Sequence, residues 1–423
     1  MNTSEYIKET TSSGLRVITA PMPSSRSVTI MVMAGAGSRY EDRKFNGLSH
    51  FMEHMFFKGA ERYPDAMAVS SAVDSVGGMF NAFTGEERVG YFVKLSAAKK
   101  RTAYDVLSDM MLNSKFDAVE IDRERGVIIE EIRMYNDDPA SLAQIDFKLH
   151  FYGDQPLGWD IAGPEENIMA VKRDDFLHYR DKFYTAGNCV IVAAGGVTHE
   201  ENMALVSEFF KFKKGDEKPS VEPYRSIPGK RTFLRKRDIE QAHIVMGFPI
   251  PGEEEKEQPA LKILVNAMGG TMSSRLFHEI REKRGLAYYI RASRFAYTDT
   301  GAIKVSAGVN LKKTGEAISC VMEEIRKAVK TGITKEELEK GKENIKGRTD
   351  LSLEDSMSTA SLYAAHEVIY GTIKTPEEYA AELDAVTLDE VNAAAAKFLD
   401  PANIKLAVLG PYDDVTMFDK ALD

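Results

Sequence analysis

Apolar alternation opens the chain: residues 14–19 and 27–32 read as a pair of strands, stopped by Gly35, Gly37 and Ser38. Helical spacing begins near Gly47. Residues 78–84 lead into a further strand from Val89 to Leu95, and two helices are predicted near 99–113 and 117–135. In the second of these, Ile121, Ile128 and Ile132 recur at helical intervals. A helix over about 171–183 then delivers the apolar run 189–194, which reads as a buried strand and ends at Gly195-Gly196.

The same order is written twice. Val171 pairs with Val386, Asp174 with Asp389, Phe183 with Phe398, Asn188 with Asn403 and Gly195 with Gly410, all at one offset (386 − 171 = 215). A repeat of this period points to duplicated domains, since solenoid units are far shorter. The segment around Lys213, Lys214, Pro219, Pro223 and Pro228 has linker composition. The pattern therefore predicts an α+β protein of two homologous sheet-plus-helix domains, 1–212 and 231–423, joined by a linker over 213–230.

Composition changes this picture little. The chain has 423 residues, 43% hydrophobic and 28% charged, as globular proteins do. Its net charge of −10 disfavours nucleic acid, which needs a basic footprint. It would suit a basic peptide if the acids face a binding surface, or simply keep the protein soluble. No apolar run is long enough for a membrane span. The start, Met1-Asn2-Thr3-Ser4-Glu5, has no leader pattern, so a cytoplasmic location is expected. Cys189 and Cys320 are distant and read as buried packing residues.

Chemistry enters at His50-Phe51-Met52-Glu53-His54. Histidines at i and i+4 leave one helix face a turn apart and can share a metal ion. Glu53 lies close enough to that face to reach a water beside it. This is the zincin motif reversed, H-x-x-E-H. The plain alternative is an exposed helix with two solvated histidines. A catalytic zinc takes a third protein ligand, and the helix carrying Glu120, Asp122, Glu124, Glu130 and Glu131 is the place to seek it. Glu124 and Glu131 are two turns apart and share a face, while Glu130 points about 100° away. Glu120, Asp122 and Glu130 read as a charged solvent face.

Residues 46–59, Asn-Gly-Leu-Ser-His-Phe-Met-Glu-His-Met-Phe-Phe-Lys-Gly, closely resemble the peptidase family of pitrilysin, insulin-degrading enzyme and mitochondrial processing peptidase. The likeness is to its short, two-domain, processing-peptidase-like members. It implies zinc held by His50, His54 and Glu131, with Glu53 as general base and Glu124 as a supporting acid. Residues 77–84 resemble the segment lining the cleft beside the metal, which implies that Asn81, Ala82 and Phe83 pair an edge strand with an extended peptide. Residues 273–288 resemble the second-half signature, in which Arg281 and Tyr288 would bind substrate and polarise the scissile carbonyl. Taken alone, those two are an ordinary surface arginine and packed tyrosine. Ala60 and Trp159-Asp160 depart from the family pattern, where a threonine and a basic residue are common.

A shift of 213 (268 − 55) sets Ile263 against His50, Asn266 against Glu53 and Ala267 against His54. The second copy has lost the motif, so one zinc per chain is expected. Short relatives reach four domains by pairing chains. A chain carrying both the metal motif and the arginine–tyrosine pair implies a homodimer in which each subunit completes the other's site. The competing readings are a non-catalytic scaffold or partner subunit of a processing-peptidase-like complex, and a metal hydrolase acting on something other than peptides.

Overall fold

The structure is a computed structural model that describes residues 6–215 and 219–423. Residues 1–5, read above for a leader, and 216–218 of the predicted linker lie outside the described residues. Within them the apolar alternation becomes six strands: β1 (Ile7–Thr10), β2 (Arg16–Pro21), β3 (Ser27–Ala34), β4 (Met79–Thr84), β5 (Val89–Ser96) and β6 (Cys189–Gly195). They form one sheet in the order β1-β2-β6-β3-β5-β4. Its central strands are apolar on both sides because successive side chains leave a strand on opposite faces. Val28, Ile30 and Val32 of β3, with Ile191 and Ala193 of β6, enter one core. Met31, Met33, Val190 and Val192 enter a second core on the other face.

Helices Leu48–Phe56, Lys100–Leu112, Ala118–Asp137 and Arg173–Phe183 cover the first of these faces. Ala360, Tyr363, Ala364 and Val368 cover the second, and they belong to helix Ser356–Tyr370, far along the chain. Lys94 pairs with Asp355 at its N-terminus. Lys8 reaches the buried Glu367 at 2.7 Å.

A second sheet holds β7 (Thr232–Lys236), β8 (Gln241–Ile250), β9 (Ala287–Ala296), β10 (Gly301–Asn310) and β11 (Lys405–Gly410), in the order β7-β11-β8-β10-β9. This is the first sheet's order without β1. The hand of every pairing repeats: β2 with β6 and β7 with β11 are parallel, and the remaining neighbours are antiparallel. The duplication is therefore a duplication of topology.

The compact units are not simple halves of the chain. Described residues of Met1–Ile132, Trp159–Glu222 and Asp350–Thr375 make the first, and those of Arg133–Gly158, Pro223–Thr349 and Pro376–Asp423 the second. Helix Pro139–Tyr152 belongs with the second sheet, against which Leu142, Ala143, Phe147 and Phe151 pack. A Cβ on Gly247 of β8 would lie 2.3 Å from the Phe147 ring, so this close approach needs glycine. Each half thus lends the helix that follows its long helix, Ala118–Asp137 in one and Lys335–Leu353 in the other, to the other half's sheet. Asp138 and Asp355, the residues at the two breaks, both cap the lent helix by accepting from its first backbone N–H groups.

Candidate metal centre

The 48–56 helix begins at Gly47, whose φ of 103° suits glycine and where a Cβ would meet the Ala162 carbonyl at 2.6 Å. Gly47 has no side chain to cap the helix, and Glu41 does so from outside. Its buried carboxylate accepts from Gly47 N at 2.9 Å, Ser49 Oγ at 2.6 Å and Asn46 Nδ2 at 3.3 Å. A negative group at this end also complements the helix dipole. Ser49 Oγ lies 2.6 Å from the Tyr179 hydroxyl, which ties the first turn to the 173–183 helix. Phe51, Met52, Met55 and Phe56 are buried in the core. That fixes the helix rotation and turns His50, Glu53 and His54 to the opposite side.

There they meet the 118–137 helix. Glu131 Oε2 stands 3.7 Å from His50 Nε2 and 3.4 Å from His54 Nε2. The three donor atoms lie within 4.8 Å of one another. Glu124, two turns earlier and buried, places Oε1 at 2.8 Å from His54 Nδ1 and Oε2 at 2.6 Å from Lys58 Nζ. One face of this helix therefore supplies both a converging oxygen and the hydrogen bond that orients a histidine. Asp122 and Glu130 are exposed, and Glu120 pairs with Arg123. Glu53 Oε2 accepts a 2.5 Å hydrogen bond from Thr84 Oγ1 of β4.

The charges explain the protonation pattern. Burial works against a charged His54, but the hydrogen bonds to Glu124 and Glu131 outweigh it and push its pKa up to about 9. Burial and the neighbouring His54 charge hold His50 down to about 4. The hydrogen bond to His54 lowers Glu131, and burial raises Glu53 above the usual carboxylate range. A proton on His54 thus stands where two carboxylates call for a cation. Ligands held 2.0–2.2 Å from a tetrahedral ion sit about 3.3–3.6 Å apart. The observed 3.4 Å separation falls in that range and the 3.7 Å one just above it, and two imidazoles with a carboxylate fit a zinc-type site.

Asn81, Ala82 and Phe83 lie on β4, which among the described residues pairs only with β5 and leaves its other edge open. The Ala82 N–H is taken by the Asn81 side chain at 2.8 Å. Arg281 and Tyr288 lie in the second unit. The Arg281 guanidinium rests 4.7 Å from the Phe277 ring, and Tyr288, on the edge strand β9, is 78% exposed, so it is not a packed tyrosine. Of the departures from the family pattern, Ala60 is buried and Trp159 carries Arg43 over its ring. Asp160 accepts from Asn46 Nδ2 at 2.8 Å, beside the start of the motif helix. Glu41 and Tyr179 carried no sequence signal, since no spacing rule links them to the motif; Lys58, four residues after His54, and Thr84 lie in the two segments that resemble the family, but nothing there assigned them a partner.

In the second unit the positions matching Glu53 and Glu131 by the shift of 213 are Asn266 and Asn344. Asn266 Nδ2 donates to Asn344 Oδ1 at 2.8 Å. The helix contact is kept and its charge is gone.

Comparison with known proteins agrees with the duplicated fold. Residues 16–165 match the model of Insulinase (Peptidase family M16), and residues 170–345 match that of the Peptidase M16 inactive domain. A protein of Mycobacterium leprae (strain TN), named an uncharacterized zinc protease, is 35% identical over 94% of this chain and 90% of its own length. One of the same description from Bacillus subtilis (strain 168) is 35% identical over 95% and 97%. The crystal structure of a protease from Helicobacter pylori superposes with a TM-score of 0.88 at 23% identity, covering 96% of this chain and 99% of that one. The fold is that of the two-domain M16 peptidases. This chain belongs to peptidase family M16. No helix among the described residues is long and apolar enough to cross a membrane.

Proposed function

We propose that this chain is a zinc-dependent endopeptidase that cuts peptides or unfolded segments bound in extended form. The observation that carries this reading is the convergence of His50 Nε2, His54 Nε2 and Glu131 Oε2 beside the carboxylate of Glu53. His50, His54 and Glu131 would hold one zinc ion per chain, which when bound supplies Lewis acidity and makes a water a competent nucleophile near neutral pH. Glu53 takes the proton of the attacking water and passes it to the leaving nitrogen. Thr84 keeps its carboxylate aimed, and Glu124 holds the His54 ring so that Nε2 faces inward.

The open edge of β4 supplies backbone groups for an extended peptide, with Asn81, Ala82 and Phe83 along it. Arg281 and Tyr288 bind that peptide and stabilise charge on the scissile carbonyl oxygen. Both sets occur in one chain, which supports a homodimer that shares its sites. The complete donor set speaks against the non-catalytic scaffold.

The test is metal content together with cleavage of a quenched peptide, wild type against Glu53→Gln. One zinc per chain in both, with cleavage lost only in the variant, is the expected result. A folded, metal-free and inactive wild type would overturn the reading.

A further inference from the structure

On the face of β4 turned away from Glu53, the first unit holds a groove of about 630 Å³ between the sheet and the 356–370 helix. The pleat decides which side chains see it. Thr84 turns toward the motif helix and Ala82 packs against the first core, although Ala82 also borders the groove. Asn81 and Phe83, one residue out of step, line the groove with Phe92, the cross-strand partner of Asn81. Gly90 belongs to this face because the Phe83 ring lies over it, 2.5 Å from where a Cβ would stand. Met31, Phe92 and Leu362 make an apolar floor, and Ser358 and Ser361 line the helix side. Arg88, exposed in the turn from β4 to β5, completes the lining.

Two features give this groove a chemical preference. Among the described residues no carboxylate lines it, and Arg88 is its sole cationic residue. The nearby Asp355 is already engaged by Lys94 and by the Met357 and Ser358 N–H groups. The Arg88 guanidinium has no partner among the described residues, whereas Arg39, whose backbone N–H donates to the Glu86 carbonyl in the same turn, is paired with Glu87. A free guanidinium over an apolar floor with hydroxyl donors matches a side chain of a few methylenes that ends in a carboxylate.

We propose that this groove is a side-chain pocket for the peptide laid along β4, and that Arg88 selects an acidic residue there. The proposal rests on the peptidase reading, because a strand added to the open edge of β4 sends alternate side chains to the Glu53 face and to the groove. It departs from the overall charge of the chain, which by itself would favour basic peptides. Acidic residues are preferred only at positions that share the groove's phase, and neighbouring positions are indifferent to Arg88.

The experiment uses the full chain loaded with zinc and short quenched peptides carrying Glu, Lys or Leu in turn at each position around the cut. Wild type should prefer Glu over Lys by about tenfold in kcat/KM at one position or at two positions of the same phase, the scale of one charge-assisted hydrogen bond. Arg88→Glu should reverse that order at the same position. A profile that is flat, or unaltered by Arg88→Glu, overturns the proposal. Binding of the same peptides, fluorescently labelled, to Glu53→Gln chains with and without Arg88→Glu separates the two failures. Glu-dependent binding with no cleavage by the parent chain faults the peptidase reading alone. Binding that ignores the charge of the peptide, or that is absent for all of them, overturns the groove assignment whether or not peptides are cut.

Discussion

Thr84 Oγ1 donates a 2.5 Å hydrogen bond to Glu53 Oε2, so the strand offered to the substrate also holds the proposed base. Removing the hydroxyl leaves a half-buried carboxylate free to turn. Thr84→Val should lower kcat by about tenfold, as expected for losing one hydrogen bond to a charged group. Zinc content should be unchanged and Thr84→Ser should keep most of the rate. Steady-state kinetics with metal analysis checks both.

Glu124 is predicted to matter through His54 and not through contact with the metal. Glu124→Gln keeps the shape but weakens the charge-assisted bond at His54 Nδ1 and leaves Lys58 without its carboxylate. Zinc affinity should fall by about 10–100-fold, the usual effect of losing a hydrogen-bond partner behind a metal-bound histidine. Competition with a chromophoric chelator measures it. Wild-type affinity in Glu124→Gln would remove the orienting role.

The lent helix 139–152 should be sensitive at its closest approach. Gly247→Ala drives a methyl into the Phe147 ring, and overpacking of this kind costs about 1–3 kcal/mol. The penalty should shrink in a Phe147→Leu background, where the ring edge is gone. Denaturant unfolding of the four chains gives the coupling between the two sites.

The other lent helix carries an acid-sensitive contact. Burial tends to raise the Asp355 carboxyl, but its bonds to Lys94 and to the Ser358 N–H prevail and hold it below its ordinary value of 3.8. A carboxyl depressed in the folded state stabilises above its unfolded pKa and loses that contribution as pH falls through its folded one. Asp355→Asn should therefore melt below wild type at pH 7. The gap should close as the pH drops below 3.8, read as melting temperature against pH.

Mixing Glu53→Gln chains with Tyr288→Phe chains should restore activity if a dimer shares its sites. Each mixed dimer then keeps one site with both groups intact. The readout is cleavage after subunit exchange has been demonstrated by mass. No recovery would show that each chain works with its own Tyr288 or without it.

Much of this molecule is written locally. Residues at i and i+4 on a helix must share a face, so His50 and His54 declare a shared-ligand geometry in any fold that buries Phe51 and Met52. The apolar run of β6 announces a buried strand, and the offset of 215 announces the duplication that the two strand orders display. The acidic helix was legible as the source of the third donor, and Glu124 and Glu131 as one face of it. The choice between those two came from family resemblance, because helical spacing treats them alike.

Tertiary structure decided what local pattern has no means to express. An amphipathic helix states that one face needs cover but not whose, so the exchange of helices 139–152 and 356–370 between the sheets is invisible in their periodicity. The same holds for Glu41, which caps a helix from outside it, and for Thr84, which reaches Glu53 only because β4 lies alongside the motif helix. The sequence by itself determined which residue types face together along each element. Packing of distant segments determined which faces meet, since burial of apolar surface is non-directional and only the folded chain brings those partners within hydrogen-bonding distance.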